Sequence, residues 1–298
     1  MAQSVELTGM VLSAMPLGEY DKRITILTKE CGKITAFARG ARRPNGKLIA
    51  ATNPFVFGMF ELVEGRNAYT LIRANVHNYF RELAGDVDAA YMGFYFLEFA
   101  SYFCQEGNDE RQMLKLLYQS LRALESPVFS PRLVRAVFEL KALGINGIGP
   151  EVFCCVHCRG ALWEESSASQ AGDREDKQWS GQARLGVGSS GSEAGQLEKA
   201  TGRVDDRKAG PALFSVRRGG MLCAKCAAGE KGRALQESTL YTMQFVLSTP
   251  VEKLYTFQLT EPVLAELTDV IREYSRCHVS HEFKSLKVLE VTSDTLPK

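Results

Sequence analysis

Residues 155–158 read CVHC, with a further cysteine, Cys154, directly before them. The other pair of this spacing is CAKC at 223–226, and 64 residues lie between Cys158 and Cys223. Whether the two pairs form one site decides how the middle of the chain folds. Two thiolates two residues apart grip a tetrahedral metal from one knuckle of backbone. A second knuckle completes the shell when it follows about 15–20 residues later.

The intervening stretch is of two kinds. Residues 163–211 are rich in Gly, Ser, Ala and charge, with apolar residues only scattered. Such a segment buries too little surface to offset its ordering entropy, so the sequence predicts a disordered insertion. Trp163 is expected with the flanking ribbon and Trp179 as incidental, with a short partner-binding motif as the alternative. Setting these 49 residues aside leaves 15 between the pairs, inside the zinc spacing. The far flank, ALFSVRRGGMLC at 212–223, reads as a strand, a Gly219-Gly220 turn and the second knuckle of a zinc ribbon. Lengthening the closure from about 16 to about 64 residues costs roughly 1.2 kcal/mol. A structural zinc supplies on the order of 10 kcal/mol. Cys155, Cys158, Cys223 and Cys226 are therefore expected to hold one structural Zn2+ per chain. Four thiolates leave no open position for water, so the metal braces the fold and does no chemistry. Cys154 and His157 stay open as substitute ligands, each at the cost of the two-residue spacing. The four-thiolate ion is formally −2 and repels phosphate unless Arg159, Arg217, Arg218 and Lys225 offset it.

Upstream, residues 1 to about 80 are β-rich. VELTGMVLS, RITILT, KITAFA, FVFGMFELV and AYTLIRA are separated by turn signals at Pro16–Gly18, Cys31-Gly32, Arg43–Gly46 and Glu64-Gly65. Five short strands in this length predict a small antiparallel barrel, with an OB-fold as one candidate. The same region holds the chain's main local charge. Residues 21–47 carry Lys22, Arg23, Lys29, Lys33, Arg39, Arg42, Arg43 and Lys47 against only Asp21 and Glu30, a net of +6 in a chain whose formal charge is +1. In a strand over 33–39, Lys33, Thr35, Phe37 and Arg39 share one face, and Ile34, Ala36 and Ala38 the other. Cations with a flat ring among them suit single-stranded nucleic acid: charge for phosphate, Phe37 for a base.

Downstream the period becomes helical. AAYMGFYFLEFASYF at 89–103 is apolar on nearly all sides, but too short and too interrupted by Glu98 to span a bilayer. It reads as the central helix of a bundle, with Glu98 a hydrogen-bonded core carboxylate. Met113, Leu114, Leu117, Leu121 and Leu124 form one stripe. Ser130-Pro131 caps RLVRAVFELKALG, with Gly144 as its stop. Helical patterns resume at STLYTMQFVLS, at TEPVLAELTDVIREYSRC with Thr260 as cap, and at HEFKSLKVLEV. The expected division is 1–80 for the barrel and 81–298 for a helical domain, its ribbon at about 152–162 and 212–229.

Composition excludes little: 45% apolar and 24% charged is ordinary for a globular protein. The first residues show neither a basic start nor a sustained apolar run, so no secretory signal is expected. Eight cysteines without one fit a reducing cytoplasm. No Walker loop, G-x-S-x-G or His-Glu zinc-enzyme pattern occurs, and His77, His157, His278 and His281 form no recognisable catalytic set, so no enzyme is expected.

Taken together, GMVLSAMPLGEYDKRITILTKECGKITAFARGARRPNGK at 9–47, FELKALGINGIGPEVFCCVHC at 138–158, FSVRRGGMLCAKC at 214–226 and KSLKVLE at 284–290 resemble the bacterial recombination-mediator family RecO. The resemblance covers nearly the whole chain outside the insertion, which is itself a departure from a typical member. It implies an N-terminal OB-fold, a helical second domain and a zinc module. It implies a non-enzymatic, cytoplasmic, nucleoid-associated role in DNA repair. Such proteins bind single- and double-stranded DNA, anneal complementary strands, and with RecR help load RecA onto strands coated by single-strand-binding protein (SSB). The SSB tail docks on the helical domain. By position, Arg132 and Arg135 beside Val134, Phe138 and Leu140 are the candidates. The residues alone also fit a redox-regulated zinc chaperone, or an OB-fold RNA-binding factor with a zinc ribbon.

Overall fold

Period-two alternation of aliphatic and polar residues gives five strands: β1 Ser4–Leu17, β2 Asp21–Thr28, β3 Gly32–Ala38, β4 Phe57–Glu64 and β5 Tyr69–Asn78. In the computed structural model, which describes residues 4–162 and 212–295, they close a barrel in the order β1-β2-β3-β5-β4. The β3–β5 pair is parallel and the other barrel pairs are antiparallel, the five-stranded OB arrangement. Leu7, Val11, Ile24, Ile26, Ile34, Ala36, Phe60, Leu62 and Leu71 fill the interior. A bulge between Val11 and Ser13 shifts the register of β1 against β2.

A 3-10 turn over Arg81–Gly85 leads into α1 Val87–Phe103, which Asp86 caps through the backbone N–H groups of Asp88 and Ala89. Then follow α2 Arg111–Leu124, α3 Pro131–Ile145, the ribbon strands β6 Leu213–Ser215 and β7 Gly220–Leu222, α4 Glu237–Ser248, α5 Glu261–His278 and α6 Lys284–Thr295. Helix α1 packs on α2, α3, α6 and β1, as its apolar circumference demands. Phe96 stacks on Phe138 with centroids 4.0 Å apart, and Phe99 on Phe283 at 5.2 Å. The α2 stripe is buried throughout. Among the described residues no helix is long and apolar enough to cross a membrane.

Two local expectations change. Gly144 does not stop α3, which continues to Ile145 and is closed by Asn146 and the positive φ of Gly147 (71°). Gly144 is small because α4 lies against it: a Cβ there would meet Leu247 Cδ2 at 2.8 Å. Thr260 stands at the N-cap of α5 but its side chain makes no capping hydrogen bond.

The helical part also covers one end of the barrel. The loop after α1 lies along the β2–β3 turn, with Lys33 N donating to Gln105 O (3.0 Å) and Gly107 N to Cys31 O (3.0 Å). Only a glycine at position 32 permits this approach, since a Cβ would sit 2.2 Å from Gln105 O. On the outer side of β1 and β2, Met10, Leu12 and Leu27 join the helical core. The outer barrel surface is thus divided into a covered half and an open one.

Candidate nucleic-acid face and metal centre

The ribbon hairpin β6–β7 pairs Phe214 with Met221 and Ser215 with Gly220. The chain before the first knuckle is bonded onto it: Glu151 N donates to Gly219 O (2.9 Å), Met221 N to Glu151 O (2.8 Å) and Val156 N to Met221 O (2.8 Å). Each knuckle closes on itself, Arg159 N donating to Cys155 O (2.9 Å) and Ala227 N to Cys223 O (2.9 Å). The sulfurs of Cys155, Cys158, Cys223 and Cys226 consequently lie within 4.8 Å of one another, with Cys158 and Cys223 at 3.8 Å. A tetrahedral ion held at about 2.3 Å by four thiolates requires sulfurs roughly 3.8 Å apart. The four cysteines could therefore hold a metal ion. Burial pushes the Cys155 thiol up, but backbone N–H groups of Cys158, Cys223 and His157 outweigh it and bring it down to about 6, while hydrogen bonding to Cys223 and the other thiols pushes Cys226 up to about 12, so one proton-poor sulfur is shared by the group. Cys154 lies outside the group, its sulfur 4.0 Å from Arg159 Nη1, and His157 is exposed beside it. Two of the neighbouring cations are already paired, Arg159 with Glu151 and Arg218 with Glu230. Residues 163–211, expected as a disordered insertion and including Trp163 and Trp179, lie outside the described residues.

The cationic stretch of the barrel does not stay together. Alternation in β3 turns Ile34, Ala36 and Ala38 inward and leaves Lys33, Thr35 and Phe37 half-buried on the outside. Lys33 stands on the covered half, opposite Leu27, where its Nζ donates to Ser101 O. Lys29 is at the same end, in a cleft with Arg111 and Lys115 of α2. Six residues of strand separate it from Arg23, about 20 Å. Lys22 is engaged differently again. Its ammonium donates to Asn53 Oδ1 (2.9 Å), Thr52 Oγ1 (3.1 Å) and Ile49 O (3.3 Å), pinning the β3–β4 connection. Burial first, and then the charge of Arg42, lower its pKa.

The open half collects the rest. Phe37 is paired with Arg23 across β2–β3, and Arg23 with Met15 across β1–β2, its Nη2 3.3 Å from the Met15 sulfur. The loop after β3 folds back on the β1–β2 turn: Gly40 N donates to Asp21 Oδ1 (2.8 Å), Arg42 N to Tyr20 O (2.8 Å) and Arg42 Nη1 to Gly18 O (3.1 Å). Arg23, Arg39, Arg42, Arg43 and Lys47 are exposed at this end, together with Met15, Leu17, Tyr20 and Ile49. Sequence reading missed Tyr20 and Met15. Their position beside a tight turn after an alternating strand was visible, but the cations that join them from 39–47 are brought by the fold.

In the helical part, Arg132 pairs with exposed Glu261 (2.5 Å), while Arg135 is largely buried and bonded to Glu139 (2.8 Å). Val134, Phe138 and Leu140, named beside these arginines as candidates for the SSB tail, are core residues. The buried carboxylate of this region is Glu139, which also accepts from Tyr95 Oη (2.8 Å). Glu98, the expected core acid, is only partly buried and caps α6 instead, accepting from Lys284 N (3.0 Å) and Ser285 N (2.9 Å). Burial pushes it up, and these backbone donors overcome that and leave it below its usual range.

Fold and site define the class: an OB-type barrel carrying an open cationic face, joined to a helical unit with a four-cysteine hairpin. Comparison with known proteins gives the particular family. Residues 1–80 match Recombination protein O N terminal, and residues 84–188 and 204–287 match Recombination protein O C terminal. The chain belongs to the RecO family of DNA repair and recombination mediators. It is 23% identical over 287 residues to DNA repair protein RecO of Acetivibrio thermocellus, covering 96% of each chain. It is 26% identical over 286 residues to that of Clostridium perfringens, covering 96% of this chain and 97% of the relative. It is 34% identical over 167 residues to that of an Anaeromyxobacter species, 55% of this chain and 65% of the relative.

Proposed function

We propose that this chain binds single- and double-stranded DNA on the open half of its barrel, anneals complementary strands, and with RecR helps load RecA onto SSB-coated single strands. The observation that carries the reading is the exposure of Arg23, paired with Phe37, and of Arg39, Arg42, Arg43 and Lys47 on the half of an OB barrel that the helices leave open. Annealing needs no bond-making group. Cations screen the repulsion between two phosphate chains and raise their local concentration, and base pairing supplies the free energy. No enzyme activity is assigned to the chain, and its work lies in the cytoplasm at the nucleoid.

The four cysteines are assigned one structural Zn2+, which all-thiolate donors at this separation favour. Bound there, it would hold the two knuckles together and leave the DNA face to the barrel. The acidic tail of SSB is placed on the helical domain near Arg135. That side chain lines a cavity of 430 Å3 of mixed charge, where Arg135 is paired with Glu139 and Lys287 with Glu282, and Arg272 and Arg276 are the remaining cations that a carboxylate-rich peptide would meet. The test is an annealing assay on SSB-coated strands, with metal analysis of the same sample. Acceleration over the uncatalysed rate, lost when Arg39, Arg42 and Arg43 are each replaced by Glu, supports the reading. Unchanged affinity of that variant in a low-salt titration counts against the barrel as the DNA face.

A further inference from the structure

The exposed end of the barrel offers more than charge. Tyr20 stands at the β1–β2 turn with 40% of its surface exposed, and the Arg43 guanidinium lies over its ring, 5.4 Å from the centroid. The turn is held in place from three directions, by the bonds from Gly40, Arg42 N and the Arg42 guanidinium described above, so the ring is presented on a fixed support. Three residues along the chain, at most about 10 Å away, Arg23 is the middle of the row Met15–Arg23–Phe37. Flat and apolar side chains therefore alternate with guanidiniums over the open face. The negative groups here are Glu19, whose carboxylate accepts from the Tyr20 hydroxyl and raises the pKa of that phenol, and Asp21, which is bonded to Gly40 N. A protein partner for so cationic a surface would have to be acidic. A polyanion whose repeating unit carries both a charge and a ring matches it residue by residue.

We propose that Tyr20 is a base-stacking residue, and that it ranks unpaired strands above duplex on this face. The inference rests on the assignment of the open half to DNA and adds to it a source of discrimination. A base in a single strand can turn one face onto the ring. A base in a duplex has both faces committed to its neighbours and cannot reach the ring without unstacking. Arg43 lies over one face of the ring, so the base is assigned to the other face and the guanidinium is left to meet the adjoining phosphate. Duplex is then held through phosphate contacts alone. Annealing removes the ring contact, so the product is bound less tightly than the substrates and leaves the face free for another strand.

The experiment uses the full chain with fluorescein-labelled oligothymidylate and a mixed-sequence duplex. Binding is followed by anisotropy at several salt concentrations for wild type, Tyr20→Phe, Tyr20→Leu and Tyr20→Ala. Stacking on one aromatic ring predicts that Tyr20→Ala weakens single-strand binding by about 5- to 100-fold. Duplex binding should change by less than about 2-fold, and the salt slope should stay as in wild type. Tyr20→Phe keeps wild-type affinity, and Tyr20→Leu, which keeps apolar bulk without a ring, behaves as Tyr20→Ala. Equal losses on both DNAs, or a Leu variant as tight as wild type, overturn the inference while leaving the barrel as the DNA face. Wild type that binds neither probe in dilute buffer overturns both readings together. Thermal unfolding of each variant separates a loss of fold from a loss of the ring.

Discussion

Neutralising Arg23 and Arg39 together separates a localised DNA face from a merely basic sequence. Both are exposed on the open half of the barrel, and the Arg23 guanidinium donates to the Met15 sulfur and to no backbone carbonyl among the described residues. Replacing them with Gln removes two cations and little packing. Each phosphate contact on a single strand contributes about 0.7 to the slope of log affinity against log salt, so the pair contributes about 1.4. Between about 50 and about 200 mM salt, a fourfold change, wild-type binding should therefore fall roughly 7-fold further than that of the double variant. Lys29→Gln is the matched comparison. It removes a cation from the same sequence run, but from the other end of β2, about 20 Å away. On an oligonucleotide short enough to occupy one end of the barrel, it leaves the slope at its wild-type value. Fluorescence anisotropy titrations at four or more salt concentrations give the slopes. If Lys29→Gln flattens the slope as much as the double variant, or the double variant does not flatten it, the division of the barrel surface does not govern DNA binding.

Three further outcomes follow from particular contacts. Glu98→Gln should cost about 1–2 kcal/mol, because the α6 N-terminus loses a charged acceptor; thermal melts and hydrogen exchange of α6 measure it. Because the folded pKa of Glu98 is depressed, its contribution is full above the ordinary carboxylate pKa and disappears as pH falls through the folded value. The Gln variant should accordingly lack that part of the acid-side dependence. Lys22→Met should lower barrel stability by roughly 1–3 kcal/mol, through the loss of three acceptor contacts, with the DNA salt slope unchanged. An altered slope with normal stability would instead return Lys22 to the DNA face. Gly220→Ala places a Cβ 2.2 Å from Glu151 O, so the backbone joining the two knuckles must move. Bound metal should fall well below one per chain in elemental analysis, and full occupancy would show that the hairpin register does not set the site.

Much of this architecture could be read from residue types in order. Two C-x-x-C knuckles with a strand and a Gly-Gly turn between them specify a thiolate cluster, and the structure places their sulfurs together. Alternation in β3 and the stripe of α2 specify which side chains turn inward, because strand and helix geometry fix the direction of neighbouring side chains within one element. What lies on the other side of a face is supplied by residues distant in sequence, and there only the tertiary structure decided. Lys33 and Phe37 share one outer face of β3, yet Lys33 meets the carbonyl of Ser101 from α1 while Phe37 remains on the open half. Lys22 and Arg23 are adjacent, yet one is bound to three acceptors from the loop before β4 and the other is exposed. Glu98, expected in the core, stands instead where α6 brings it two backbone donors, while the enclosed acid is Glu139, between Tyr95 and Arg135. A run of charge in a sequence is a property of one segment, whereas a binding face is a property of whatever the packing of other segments leaves uncovered.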